Sequence, residues 1–409
     1  IEFDNSYGVF MPGCEVAGTV VMAVREATKA KSVLITVHGG AHTHWSVSEP
    51  RTRHVTRTNA QGQMHTVVET YYVNIPYTAS VAYADGTAVL WTPPVGESTG
   101  YIQPGNYRYP FRFLLPANCP ASFEGSFGYI RYYCKARIDR PWYKVDHKST
   151  RVFTVNAISD LNAIPSALSP VQMSQSKETG VLFFKNGRIN LTAKIHKGGF
   201  VPGEAISLQA DIVNSSSQKI KKVRVKIVQC SHYVAYRGHE PIVVGGHPHG
   251  VSGSAGQKVD LREVFRSEEK VEIVKGASQQ FTRLVPIPPV VNTFNNCPII
   301  TVSYLLKIKL TTGGAISTTL SAQLPLIIGS VPLRTAPPMP QSGPAPGAPP
   351  LYPQIPDAPP PSYAACVFGA GKIKDEDENA EFTPRYPYYP NITPAVTPSA
   401  PPLVEVEKM

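Results

Sequence analysis

A motif written twice constrains this chain more than any other feature. Phe10-Met11-Pro12-Gly13 returns as Phe200-Val201-Pro202-Gly203, and each copy opens a matching block. The stretch 9–39, VFMPGCEVAGTVVMAVREATKAKSVLITVHG, aligns with 199–229, GFVPGEAISLQADIVNSSSQKIKKVRVKIVQ. Each reads as a strand, a polar turn and a second strand. A later pair, 109–123 and 281–298, also corresponds, and a long strand pattern follows each. Self-similarity over several elements in the same order is what a duplicated body leaves in its sequence.

The duplicated unit is built from strands. In KKVRVKIV (221–228), Val223, Val225 and Ile227 fall on one face, and Lys222, Arg224 and Lys226 on the other. SVLITVHG (32–39) alternates in the same way. Successive side chains of a strand point to opposite faces, so this period of two marks a half-buried strand. FGYIRYYCKARI (127–138) and TVSYLLKIKLTT (301–312) are rich in aromatic and branched residues, with Gly, Pro, Asn and Ser clustered between such runs. No long stretch combines helical periodicity with caps. The predicted fold class is all-β, with two tandem antiparallel β-sandwiches over 1–156 and 175–329. A linker at 157–174, which lacks strand periodicity, separates them.

Composition changes abruptly after that. Residues 329–409 hold 20 of the 40 prolines, with five basic and eight acidic side chains, a net of −3. The whole chain is +10, so residues 1–328 carry +13. A tail so rich in proline cannot bury enough apolar surface to offset its ordering entropy, so residues 330–409 are expected to be disordered. The six cysteines are scattered, with no Cys-x-x-Cys pair, which fits a reducing compartment. No apolar run reaches the length of a membrane span, and no charged-then-apolar leader opens the chain. The expectation is a cytoplasmic protein.

The motifs together resemble one family. Phe-x-Pro-Gly before the first strand of each half is similar to the paired arrestin N- and C-domains. So are Asp160-Leu161-Asn162 at the junction, Gly187-Arg188-Ile189 leading into the second copy, and the turn Asn214-Ser215-Ser216-Ser217. With the tail motifs below, the chain resembles the alpha-arrestins, or arrestin domain-containing proteins. The resemblance implies two arrestin-like, immunoglobulin-like sandwiches. The segment FTPRYPYY (382–389) also resembles the closing stretch of many members.

The tail spells Pro-Pro-x-Tyr twice, eleven positions apart: Pro349, Pro350, Tyr352 and Pro360, Pro361, Tyr363. Proline pre-forms the polyproline II helix, so binding orders little backbone, and two prolines pack between aromatic rings of a WW domain. Shuffling this tail yields roughly 0.3 such matches by chance. The connector PQIPDAP is semi-rigid, and eleven residues at polyproline rise span roughly 34 Å. Two WW domains of one partner could then bind together and gain avidity. The resemblance implies that this partner is a HECT-type ubiquitin ligase, and that the body recognises the cytoplasmic side of membrane receptors or transporters, with recruitment to plasma membrane and endosomes. Thr383-Pro384-Arg385-Tyr386 lacks the first proline and reads as a weak or absent third site.

Pro398-Ser399-Ala400-Pro401 matches a P-(S/T)-A-P motif of the kind that binds ESCRT-I, against roughly 0.06 expected by chance. In alpha-arrestins such a motif usually precedes the PPxY sites; here it follows them. The basic face formed by Lys219, Lys221, Lys222, Arg224 and Lys226 reads as a solvated sheet face or as a contact for anionic lipid or acidic cargo. Nucleic acid is not expected, because the aromatics are committed to strands.

No catalytic site or cofactor is expected. His38, His42 and His44, and again His239, His247 and His249, lack a companion Cys, Asp or Glu cluster to complete a zinc site. No nucleophile elbow, Walker loop or dinucleotide fingerprint leads from a strand into a helix. Some family members act on thioredoxin through a cysteine, and nothing singles out one of the six here. The rival reading is a structural trafficking scaffold of the retromer type, which shares the double sandwich but has no need of two PPxY motifs.

Overall fold

The computed structural model describes residues 1–181, 184–238, 242–244, 247–249, 254–313, 317–334, 362–366, 371–372 and 381–390. The first half contains β1 (Glu2–Phe3), β2 (Val9–Phe10), β3 (Glu15–Val24), β4 (Thr28–Ala30), β5 (Ser32–Thr58), β6 (Met64–Trp91), β7 (Gly100–Ile102), β8 (Gly105–Leu114), β9 (Phe123–Gly125), β10 (Gly128–Asp139) and β11 (His147–Val155). The second contains β12 (Val171–Val181), β13 (Phe184–Ile195), β14 (Gly199–Phe200), β15 (Ala205–Asn214), β16 (Ile220–Arg237), β17 (Ile242–Val244), β18 (His247–His249), β19 (Ala255–Ile273), β20 (Ser278–Pro286), β21 (Ile300–Thr312) and β22 (Thr319–Ile328). Between the halves lie a 3-10 turn, Leu161–Ala163, and the short helix α1 (Pro165–Leu168).

The two halves repeat one wiring. In the first, β3 pairs β8, β10 sits between β5 and β11, and β2 runs parallel to β11. In the second, β15 pairs β20, β21 sits between β16 and β22, and β14 runs parallel to β22. The repeated Phe-x-Pro-Gly falls at the same place each time. Phe10 and Phe200 end the parallel strands, and Gly13 and Gly203 follow with φ of +78° and +95°. Glycine adopts that left-handed conformation without strain.

The sandwiches are joined more intimately than the sequence indicates. A single sheet runs β14-β22-β21-β16-β6-β5-β10-β11-β2 through both halves, its bridge being the pairing of Tyr236 and Arg237 on β16 with Thr78 and Tyr77 on β6. Phe123 and Phe127 of the first half meet Phe294 and Tyr233 of the second edge to face, at 6.0 Å and 5.7 Å between ring centres. The Thr43 hydroxyl donates to the Val234 carbonyl at 2.7 Å. The alternating pattern is kept where it was read. Val223, Val225 and Ile227 are buried, and so are Val33, Ile35 and Val37.

The other motifs have mechanical roles. The Asn214 side chain donates to the carbonyls of Gln218 and Ile273, closing its turn. Gly187, at φ +89°, passes so close to that turn that a Cβ would lie 2.0 Å from the Ser215 carbonyl oxygen. Asp160 accepts from the backbone of Asn162, whose side chain donates on to the Pro332 carbonyl. The junction is thereby tied to the end of the second sandwich.

Candidate functional site

The tail was expected to be unstructured, but two of its segments form β-structure against the body. Ser362–Ala365 (β23) pairs antiparallel with Arg385–Tyr388 (β26); between them lie the short strands β24 (Gly371–Lys372) and β25 (Glu381–Phe382). Composition hides these pieces, because what they bury is aromatic and lies in a few residues.

Tyr386 and Tyr389 do the anchoring, each almost completely buried. The Tyr386 hydroxyl donates to the Ser122 carbonyl at 2.8 Å, in the first sandwich. The Tyr389 hydroxyl donates to the Ser330 carbonyl at 2.7 Å, at the end of the second. Between them the backbone is also held. The Arg385 amide donates to the Thr154 hydroxyl, the Asn156 side chain donates to the Arg385 carbonyl, and the Tyr389 amide donates to the Pro202 carbonyl. Five residues thus strap one sandwich to the other.

The strap lands on the sequence motifs themselves. Pro202 and Gly203 belong to the second Phe-x-Pro-Gly, and a Cβ on Gly203 would meet the Tyr389 carbonyl oxygen at 2.4 Å. Gly13, in the first copy, has only Ala117 near that position, at 3.9 Å. Tyr389 packs with Val201 and with Leu161 of the Asp-Leu-Asn motif. Sequence reading missed Tyr386 and Tyr389; the available signal was Tyr-Pro-Tyr-Tyr, a dense aromatic group in an otherwise polar, proline-rich tail.

Of the residues expected from the sequence to meet a WW domain, Tyr363 is the one within the described structure. It is half-buried on β23, its ring centre 5.9 Å from that of Tyr7. Burial raises its phenol to about 12. The neighbouring Ser362 hydroxyl donates to the Tyr388 carbonyl. Pro349, Pro350, Tyr352, Pro360 and Pro361 lie outside the described residues, as do Pro398, Ser399, Ala400 and Pro401. Tyr386, of the incomplete third motif, is committed to the core.

The basic face is not bare. Lys222 and Arg224 both pair with Glu268, at 2.6 Å and 2.5 Å, Lys226 pairs with Glu263, and Lys219 pairs with Glu272 at 2.6 Å. The glutamates come from β19, which lies directly against β16. Hydrogen bonds from Lys222 and then Arg224 hold the Glu268 carboxyl down at about 2. The Lys219 hydrogen bond, helped by the charge of Lys221, lowers Glu272.

His38 and His42 line an open hollow of about 490 Å³ with Tyr129, Tyr133 and Lys135, and His44 stacks beside His42 with ring centres 6.4 Å apart. His42 shares a hydrogen bond with the Ser80 hydroxyl, and His38 faces Asp85 at 3.4 Å. Among the described residues, no group of three His, Cys, Asp or Glu is placed to hold a metal ion. His239 lies outside the described residues. Four cysteines are buried, and burial pushes the thiols of Cys119 and Cys134 up to about 11 and about 12, away from thiolate reactivity. Among the described residues, no helix is long and apolar enough to cross a membrane.

Comparison with known proteins agrees with this architecture. Residues 1–162 match the family model of the arrestin (or S-antigen) N-terminal domain, and residues 185–333 match the arrestin C-terminal domain. Human arrestin domain-containing protein 4 is 30% identical over 333 residues, covering 80% of this chain and 70% of that protein. Human arrestin domain-containing protein 1 is 29% identical over 374 residues, covering 90% and 73%. Arrestin domain-containing protein 17 of Caenorhabditis elegans is 27% identical over 341 residues, covering 81% and 70%. With both arrestin domains matched in order and the duplicated wiring to go with them, the chain belongs to the arrestin family, among the arrestin domain-containing proteins or alpha-arrestins.

Proposed function

We propose that this chain is an alpha-arrestin adaptor that delivers a WW-domain, HECT-type ubiquitin ligase to membrane receptors or transporters. Arrestin-family proteins are adaptors rather than enzymes, and that general role is the starting point. The observation that carries the finer reading is the pair of PPxY motifs, Pro349-Pro350-Leu351-Tyr352 and Pro360-Pro361-Ser362-Tyr363, on a chain with an arrestin body. The tail holds the ligase and the body holds the cytoplasmic part of the cargo. Raised local concentration then drives ubiquitination, endocytosis and endosomal sorting.

Reconstituted ubiquitin transfer tests this. With a HECT ligase carrying tandem WW domains, the intact chain becomes ubiquitinated, and the Tyr352→Ala/Tyr363→Ala chain does not. Equal modification of both chains overturns the reading. Pro398-Ser399-Ala400-Pro401 favours a second contact, with ESCRT-I, whose loss on Pro398→Ala/Pro401→Ala is the corresponding check. The face at Lys219–Lys226 can meet an anionic surface only in competition with Glu263, Glu268 and Glu272.

A further inference from the structure

The β10–β11 turn presents the most exposed aromatic among the described residues. Trp142 is 91% exposed, Val145 84% and Tyr143 54%. Exposed apolar side chains are ordinary when scattered singly, but three within four residues are not. The turn is also built to present them. The Lys144 amide donates to the Pro141 carbonyl at 2.8 Å, and the Arg140 amide donates to the Asp146 carboxylate at 2.9 Å. The Arg140 guanidinium reaches the Val145 carbonyl, and Trp142 meets Tyr143 edge to face at 5.8 Å. Pro141 is buried as the foot of the turn.

Around this wedge the charge is unlike that of the β16 face. Lys31 lies against the turn, its amide donating to the Asp139 carbonyl at 2.7 Å. Lys29 stands over the ring of Tyr101, itself 59% exposed, on the adjoining β4–β7 ribbon. Among the described residues, Lys29, Lys31 and Lys144 have no carboxylate partner, whereas four of the five cations at 219–226 do.

We infer that the Pro141–Val145 turn inserts into the headgroup region of an anionic membrane, with Lys29, Lys31 and Lys144 contacting lipid phosphates and carboxylates. The chemistry fits a bilayer rather than a protein pocket. Trp and Tyr settle at membrane–water interfaces, where the ring is apolar and its polar edge stays wet. The turn is convex, and lysines beside it match the charge of acidic lipid. The location fits as well. β11 runs nine residues from the turn to the strap at Thr154, so the wedge and the tail dock lie about 30 Å apart at strand rise. A membrane held at one end leaves the tail accessible at the other. The inference stands apart from the WW reading, because none of its residues is in the tail.

The test is sedimentation of the full chain with vesicles of phosphatidylcholine alone or with added phosphatidylserine, together with tryptophan emission. Of the other two tryptophans, Trp45 is buried and Trp91 half-buried, and both remain in Trp142→Phe, so an emission shift on vesicle binding that disappears in that variant belongs to Trp142. Binding is expected only with phosphatidylserine, accompanied by a blue shift. Trp142→Ser/Val145→Ser should weaken it about tenfold or more, and Lys144→Glu about fivefold or more, given what one basic residue contributes near such a surface. Circular dichroism and tandem-WW binding, which these exposed positions should leave unchanged, separate the result from misfolding and from the tail reading. No vesicle binding by the intact chain overturns the inference. So does binding that the Trp142/Val145 variant retains in full, which would move the contact to another face. Loss of a soluble protein partner in the variants, with vesicle binding intact, overturns it too.

Discussion

Four tail tyrosines have two opposite uses. Tyr352 and Tyr363 are proposed to bind a partner, whereas Tyr386 and Tyr389 are held inside the protein. The hydroxyl of each inner tyrosine satisfies a carbonyl in a buried site, Tyr386 that of Ser122 and Tyr389 that of Ser330. Removing one partner of a buried hydrogen bond costs about 1–3 kcal/mol, and removing a buried aromatic ring costs about 3–5 kcal/mol. Tyr386→Phe should therefore lower the melting temperature, and Tyr386→Ala should lower it further. An unchanged melt in both would mean that the strap does not hold the body together. Glu268 gives a pH test at the same scale. Its folded value, about 2, lies below the ordinary 4.5, so its pairing with Lys222 and Arg224 is fully present above about 4.5 and is lost as pH falls toward 2. Carboxyl NMR should place the Glu268 midpoint near 2; a midpoint near 4.5 would contradict the cross-strand network.

At the scale of elements, the β23–β26 hairpin makes the two PPxY motifs unequal. Tyr363 rests against Tyr7 and its strand is paired with the strap, so a WW domain taking the second motif must first peel it away. The apparent affinity of a site is reduced by the fraction of time it is closed. In a Tyr352→Ala background, Tyr7→Ala should raise WW affinity for the remaining motif by about two- to fivefold. No change in titration calorimetry would mean that the contact with Tyr7 does not restrain the motif. No strand period in the tail sequence announces this hairpin, only the aromatic group Tyr386-Pro387-Tyr388-Tyr389. The strands of the body were legible because burial on one face enforces alternation over many residues, as in Val223, Val225 and Ile227. The strap is held by two rings and a few hydrogen bonds, which is too short a run to build a period. The pairing of the cationic face was hidden for a related reason. Lys222, Arg224 and Lys226 are neighbours on one strand, but Glu263 and Glu268 arrive from β19 about forty residues later, a pairing that a single strand cannot report.

Over the whole molecule, the duplication was legible and the joining was not. Phe10-Met11-Pro12-Gly13 and Phe200-Val201-Pro202-Gly203 marked two equivalent units in order. The continuous sheet depends on two residue pairs between β6 and β16 and two more between β6 and β17, and the choice of Gly203 over Gly13 as the landing site for Tyr389 depends on where the tail happens to return. The central claim concerns the proposed role of that tail as a bivalent dock for a multi-WW partner, with roughly 34 Å between motifs at polyproline rise. It is tested most directly by calorimetric titration of the intact chain with a tandem-WW fragment, against Tyr352→Ala, Tyr363→Ala and the double variant. The account predicts that each single change weakens binding, that Tyr352→Ala does so more because the second motif is partly held by the body, and that the double change abolishes it. A double variant that binds as tightly as the unaltered chain would contradict the account.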